Sequence, residues 1–254
     1  GYCVGPIDSD HSPPPGICHP IDILIQASNG ASDYGNKFGE PVVAGFARSN
    51  RATSEFPYQW DKPIMFTAGL GLIRDSHLKK LIPEPGDLII KIGGPVYRIG
   101  IGGGAASSSA NTSRRDLSAV QREDPQMEQK MNRLLQACIQ HQPNPIKSIH
   151  DQGAGGNANV LKEIIEHTGG RIYLDRLTLG DSTLTPLEMW IAEYQESNAI
   201  VISPSSLEWI QEVANLEHVN LDVVGEVTSD KRITVLYHDQ VLIDQAPLDR
   251  PYTP

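Results

Sequence analysis

Apolar positions along the 254-residue chain fall into short periodic runs separated by Gly- and Pro-rich breaks. Between Asp124 and His141 the period is helical, because Met127, Met131, Leu134, Leu135 and Cys138 share one face. Asp124 reads as the N-cap of that helix and Pro125 as its first residue. Val160, Leu161, Ile164 and Ile165 mark a second amphipathic helix, which Thr168-Gly169-Gly170 ends. A third spans Ser205 to Leu216. Pro186 to Gln195 starts helical and passes into a strand from Ala199 to Ser203. The apolar run Leu88 to Ile92 predicts a buried strand. Further strands are expected over Val96 to Ile101, Ile146 to His150, Leu221 to Val227, Ile233 to His238 and Val241 to Asp244. Pro63 to Gly71 reads as a buried strand entering a Gly turn.

The breaks carry as much information. Residues 1–20 hold Pro6, Pro13, Pro14, Pro15, Gly16 and Pro20, which predicts a loop without regular structure. Ile21 to Ala27 is a short apolar segment compatible with helix or strand. The run from Ser28 to Pro41 is polar and rich in Gly and Asn, so it reads as a functional loop rather than a helix. Arg48 to Asp61 is expected to be exposed and Asn111 to Asp116 mobile. Pro83-Glu84-Pro85-Gly86-Asp87 is the strongest turn signal and the expected domain boundary. Helices alternate with pairs of strands, an order that predicts an α/β sandwich on a mixed sheet rather than a doubly wound parallel one.

Composition narrows the function. The 23 glycines and 19 prolines exceed the usual combined share of ~12%, in keeping with many Gly-built loops. No apolar stretch approaches the ~18 residues of a membrane span. The chain opens on Gly1 rather than Met and has no signal-like segment, so it is expected to be a piece of a longer chain. The net charge is −10, and no basic cluster is visible that would neutralise a nucleic-acid backbone. An acidic chain still binds a nucleotide where backbone N–H groups and Mg²⁺ supply positive charge. Cys3, Cys18 and Cys138 are scattered, with no CxxC pair, which favours a reducing, cytoplasmic setting over a disulfide framework or zinc site.

Three places offer chemistry. Gly100 to Ser109 follows a predicted strand, and its small residues would let backbone N–H donors approach an anion; close packing of two backbones would need the same glycines. Asp151 to Asn157 sets a carboxylate at a strand end just before a helix N-terminus, an arrangement suited to Mg²⁺ and phosphate, although Asp is also a common cap. His150 beside it reads either as a base or as an ordinary hydrogen-bonding residue. Glu193 and Gln195 share a face if that segment is extended, whereas Glu188 does not; a solvated helix end would look the same.

Taken together, these segments resemble the phosphoribosylformylglycinamidine synthase family, the glutamine-dependent FGAR amidotransferases of purine synthesis, in their large, eukaryote-type form. The resemblance lies in Gly93-Gly94-Pro95 through Ser108, Ala119 through Glu128, Ser148-Ile149-His150-Asp151-Gln152-Gly153-Ala154-Gly155-Gly156-Asn157, Leu187 through Ser197, and Ala27 to Phe46. It runs from about Ile21 to the strand near Val235.

That resemblance implies a domain of the aminoimidazole ribonucleotide synthetase C-terminal type, a three-layer α/β/α unit with a mixed sheet, over residues 83–245. Residues 1–82 would then be a Pro-rich start and the tail of an N-terminal-type, ATP-binding domain, with 246–254 a tail. It also implies an ATP-dependent ligase that makes FGAM from FGAR, with ammonia from glutamine displacing phosphate from an iminophosphate. By motif position Asp151 resembles a Mg²⁺ ligand, and Gln121, Glu193, Tyr194 and Gln195 resemble substrate contacts. Ala44, Gly45 and Phe46 fall where the large form contacts ATP. Physical reasoning alone assigns Gly102, Gly103, Gly104 and Ala105 to phosphate or substrate binding. The implied partners are FGAR, ATP and the remaining synthetase and glutaminase domains, and no cysteine here sits in a glutaminase-like context. Another enzyme of the same superfamily, or a non-catalytic nucleotide-binding scaffold, remains the alternative.

Overall fold

Leu88–Gly93 (β4) forms an inner strand of a seven-stranded sheet in a computed structural model that describes residues 3–4, 15, 18–40, 42, 45–50, 52–58, 60–66, 69–101, 124–153, 155–193 and 196–246. The chain divides into two units, one running up to Arg74 and the other starting at Asp75.

In the first unit, Cys3–Val4 (β1), Phe46–Asn50 (β2) and Trp60–Phe66 (β3) form a small sheet, with β1 parallel and β3 antiparallel to β2. Pro20–Phe38 is a single helix, α1, packed against β3. Two expectations are corrected here. Cys3–Val4 is a strand inside the Pro-rich start, and the run after Ser28, expected to be a loop, is the second half of α1. Local bonds outweigh the poor propensity of its Gly and Asn residues. His19 Nδ1 accepts from the Ile21 N–H, Pro20 occupies the first turn, and Lys37 Nζ reaches Asp33 Oδ2 at 2.7 Å one turn away. The Gly39 and Glu40 N–H groups both return to the Gly35 carbonyl and close the helix.

In the second unit, Ile146–Asp151 (β5), Gly170–Tyr173 (β6), Ser197–Ile202 (β7), Asn220–Val227 (β8), Ile233–Tyr237 (β9) and Gln240–Gln245 (β10) join β4 in the order β10-β9-β6-β8-β4-β7-β5. All neighbours are antiparallel except β6 and β9, so the sheet is mixed. The side-chain alternation of β4 feeds two cores. Ile90 and Ile92 pack with Met131, Leu134 and Cys138 of α2 (Pro125–Gln140) and Ile210 and Ala214 of α5 (Leu207–Glu217). Ile89, on the other face, packs with Val160 and Leu161 of α3 (Gly156–Ile164) and Met189 of α4 (Pro186–Ile191). Helices on both faces make the three-layer α/β/α sandwich that the resemblance implied.

Asp124 caps α2 as expected, its side chain accepting from the Met127 N–H at 3.0 Å. The strand expected from Val96 to Ile101 does not form. Val96 makes one bridge to Leu179, then Tyr97 to Ile99 closes a tight turn and Gly100 takes φ +62°. Strand β6 had no expectation, because four residues starting on Gly170 show no alternation long enough to recognise. Among the described residues, no helix is long and apolar enough to cross a membrane.

Candidate functional site

Three strand ends meet at one rim of the large sheet. β4 ends at Gly93 and β5 at Asp151, while β7 starts at Ser197. Because β7 runs antiparallel to both, its first residues lie beside their last ones, with Gly93 opposite Ser197 and Asp151 opposite Asn198. The pairing continues past the strands. Gly94 N–H donates to the Glu196 carbonyl at 3.1 Å, and Gln152 N–H to the Ser197 carbonyl at 2.9 Å.

The segment leading into the glycine run joins the same rim. Glu193 N–H donates to the Ile99 carbonyl at 3.0 Å. Gly100 lies so close to Glu193 that a Cβ there would come within 2.6 Å of its Oε2. Gly156, at the start of α3, has φ +53°, and a Cβ there would overlap the Ala192 carbonyl oxygen. Both glycines are therefore required by close approach as well as by conformation. The ends of β4, β5 and α4 and the start of α3 thus converge on Ala192, Glu193, Glu196 and Ser197.

Buried polar groups support this rim. Gln152 and Ser197 are joined at 2.7 Å, and Asn157 Nδ2 donates to the Met189 carbonyl at 3.0 Å. Lys91 is fully buried on β4, opposite Asp222 of β8, and its Nζ donates to the Gly94 carbonyl. Burial lowers the Lys91 ammonium to about 8, and the nearby Asp222 carboxylate opposes that fall. Asp222 accepts in turn from Thr178 N–H and Oγ1 at 2.8 and 2.6 Å. Sequence reasoning missed Gln152, Asn157, Ser197 and Lys91. The first three lie inside the segments that carry the resemblance, and Lys91 shows as a charge inside the apolar run Ile89-Ile90-Lys91-Ile92.

Of the residues singled out from sequence, Asp151 sits at the rim with its side chain 92% exposed, and Glu193 sits beside Gly100. Gly45 and Phe46 belong to the first unit, where Phe46 opens β2 opposite Phe66. Ala44, Gly102, Gly103, Gly104, Ala105, Gln121, Tyr194 and Gln195 lie outside the described residues. The two neighbours of Asp151 and Glu193 have structural tasks. His150 Nε2 pairs with Glu163, and Glu188 serves as the capping-box partner of Thr185 on α4.

The Asp151 carboxylate fits Mg²⁺. It is a hard oxygen donor, accessible at a strand end, and among the described residues its side chain meets only His150 Nδ1, 3.6 Å away. The described residues hold no group of three or more His, Cys, Asp or Glu that would make a protein cage. One carboxylate sharing the ion with substrate phosphates is a usual Mg²⁺ arrangement.

This architecture defines a class. Residues 84–238 match the family described as AIR synthase related protein, C-terminal domain, and the chain belongs to that family. Over 93% of its length the chain is 49% identical to the phosphoribosylformylglycinamidine synthase of Homo sapiens, and over 98% it is 45% identical to that of Dictyostelium discoideum. It spans 19% and 20% of those relatives. Among solved structures it is similar to Thermotoga maritima PurL complexed with FGAR, with TM-score 0.69 and 26% identity over 85% of this chain and 35% of that one.

Proposed function

We propose that this chain is a segment of the synthetase region of an ATP-dependent FGAR amidotransferase that makes FGAM in purine biosynthesis. Residues 83–245 would form its aminoimidazole ribonucleotide synthetase C-terminal-like domain, 1–82 the end of the preceding ATP-binding domain and 246–254 a tail. In this reading ATP passes its γ-phosphoryl group to the amide oxygen of FGAR and leaves as ADP. Ammonia released from glutamine in a separate glutaminase domain then forms the new C–N bond as phosphate departs. An amide oxygen leaves only once phosphorylated, so the protein's main task is to hold and align the two polyanionic substrates.

The observation that carries the proposal is the convergence of Asp151, Glu193 and the turn that ends at Gly100 on one rim. Asp151 would hold Mg²⁺, which when bound spreads the charge of the polyphosphate. Backbone N–H groups of Gly102, Gly103, Gly104 and Ala105 would face phosphate or substrate. Gln121, Glu193, Tyr194 and Gln195 would orient FGAR, and Ala44, Gly45 and Phe46 would contact ATP. The 49% identity to a named synthase and the likeness to PurL complexed with FGAR support the substrate assignment. The scattered cysteines support a cytoplasmic setting.

The test is Asp151→Asn in the complete enzyme. FGAM formation is expected to fall about 100-fold, about 2.7 kcal/mol of the several that a bound metal ion supplies at the transition state, while glutamine hydrolysis continues. Unchanged FGAM formation would remove Asp151 from the site. It would also favour a different enzyme of the superfamily or a non-catalytic scaffold.

A further inference from the structure

Three buried side chains adjoin Asp151, and their hydrogen bonds can run in only one direction. The Met189 carbonyl is purely an acceptor, so Asn157 presents Nδ2 to it at 3.0 Å. That turns Asn157 Oδ1 toward Gln152, which answers with Nε2. Gln152 Oε1 then faces Ser197, whose hydroxyl lies 2.7 Å from it and 3.0 Å from the Ile92 carbonyl. One hydroxyl proton thus serves two acceptors that both belong to this rim. Asn157 is fully buried, and Gln152 and Ser197 are 5% and 3% exposed. The chain ties α4, α3, the residue after β5, β7 and the end of β4 to one another.

With only His150 near the Asp151 side chain among the described residues, that exposed carboxylate can be aimed only through its backbone. That backbone is fixed by pairing with Asn198, by a 2.7 Å hydrogen bond between His150 Nδ1 and the Asp151 carbonyl, and by the next residue, Gln152, which is held to Ser197 twice, through its N–H and its Oε1. Removing one partner from a buried network strands the others, so the turn would reorganise locally.

We infer that the Gln152–Asn157–Ser197 chain is a positioning device that aims the Asp151 carboxylate at a Mg²⁺-bound polyphosphate by locking the turn after β5 to the start of β7. The inference rests on the reading of Asp151 given above. Groups of this kind behind a metal ligand typically matter 10- to 100-fold in metal affinity.

The test uses Ser197→Ala in the complete enzyme, with two readouts. Without nucleotide, hydrogen exchange at the Gln152 and Gly156 amides is expected to quicken by about tenfold while α2 is unchanged. With substrates, the Mg²⁺ concentration for half-maximal FGAM formation is expected to rise by about tenfold, with turnover restored at saturating Mg²⁺ and glutamine hydrolysis unaffected. Faster local exchange with an unmoved Mg²⁺ midpoint would overturn the inference and leave the chain a purely structural network. Should Ser197→Ala fail to fold, Ser197→Cys, which keeps a weaker donor, is read by the same two criteria. Asp151→Asn separates the two levels. If it shifts the Mg²⁺ midpoint and the Ser197 variant does not, only the positioning role falls. If neither shifts it, the assignment of Asp151 falls as well.

Discussion

Arg98 Nε lies 2.8 Å from Glu188 Oε1 and joins the segment that leads into the glycine run to the helix that leads into Glu193. The same guanidinium reaches Asp181 Oδ2 and the carbonyl and hydroxyl of Thr183, each within 3.1 Å. The Arg98 hydrogen bond, and then those from Thr185, hold the Glu188 carboxyl down at about 2. A depressed carboxylate contributes above its ordinary range and loses that contribution as pH falls through its folded value.

The clamp should therefore persist on acidification and loosen only between about pH 4.5 and about pH 2. Exchange of the Glu193 amide, bonded to Ile99, reports it directly. That amide should stay protected down to the lower part of this window, and Arg98→Met should expose it at neutral pH. Equal protection in parent and variant would show that Arg98 does not hold the rim.

Lys91 makes a prediction of the same sign in the alkaline range. Its folded value is lowered from 10.5 to about 8, so the unfolded chain binds the extra proton between these limits. Stability should rise with pH across that window, at a slope of at most about 1.4 kcal/mol per pH unit from this group. Urea unfolding of the parent and Lys91→Met over the same range isolates it, since other titrating groups cancel in the difference. The Lys91→Met curve should lack the rise. Parallel curves would mean that Asp222 keeps the ammonium charged throughout.

These side chains also show what the sequence could and could not convey. The apolar periods of Leu88 to Ile92 and Met127 to Cys138 are consequences of facing one core, so they are legible in the residue pattern itself. The order of helices and strand pairs points to the sandwich for the same reason. The helical state of Ser28 to Phe38 was not legible, because it depends on a cap at His19, a pair between Lys37 and Asp33, and a closing turn at Gly39. Asp151 was visible as a carboxylate at a strand end. The chain beside it was not, since Gln152, Asn157 and Ser197 become one network only when β7 returns beside β5.

The two described free cysteines should differ sharply in reactivity. Cys138 is buried among Met131, Leu134 and Ile210, and desolvation pushes its thiol up to about 11. Cys18 is exposed. The thiolate is the reactive form, so iodoacetamide at neutral pH should label Cys18 and spare Cys138 until the chain is unfolded in urea. Mass spectrometry of the labelled peptides decides it. Native labelling of Cys138 would mean that α2 opens from the sheet far more readily than its packing implies.

Two glycines of one turn provide the sharpest contrast. Gly156 has φ +53°, and a Cβ there would overlap the Ala192 carbonyl, a backbone atom that cannot swing aside as a side chain can. Gly153 lies three residues earlier, and a Cβ on it would meet nothing within 4 Å. Gly156→Ala therefore combines overpacking with a left-handed backbone, together costing about 3 kcal/mol. Gly153→Ala should change stability by less than about 1 kcal/mol in either direction. Chemical denaturation of the two variants measures the difference. The clash also pushes α3 away from the end of α4, so Gly156→Ala should reduce FGAM formation beyond what its lower stability explains when assayed well below its unfolding temperature. Equal destabilisation by both variants would mean that the approach of α3 to Ala192 is loose, and the rim at Ala192, Glu193, Glu196 and Ser197 would lose one of the contacts that define it.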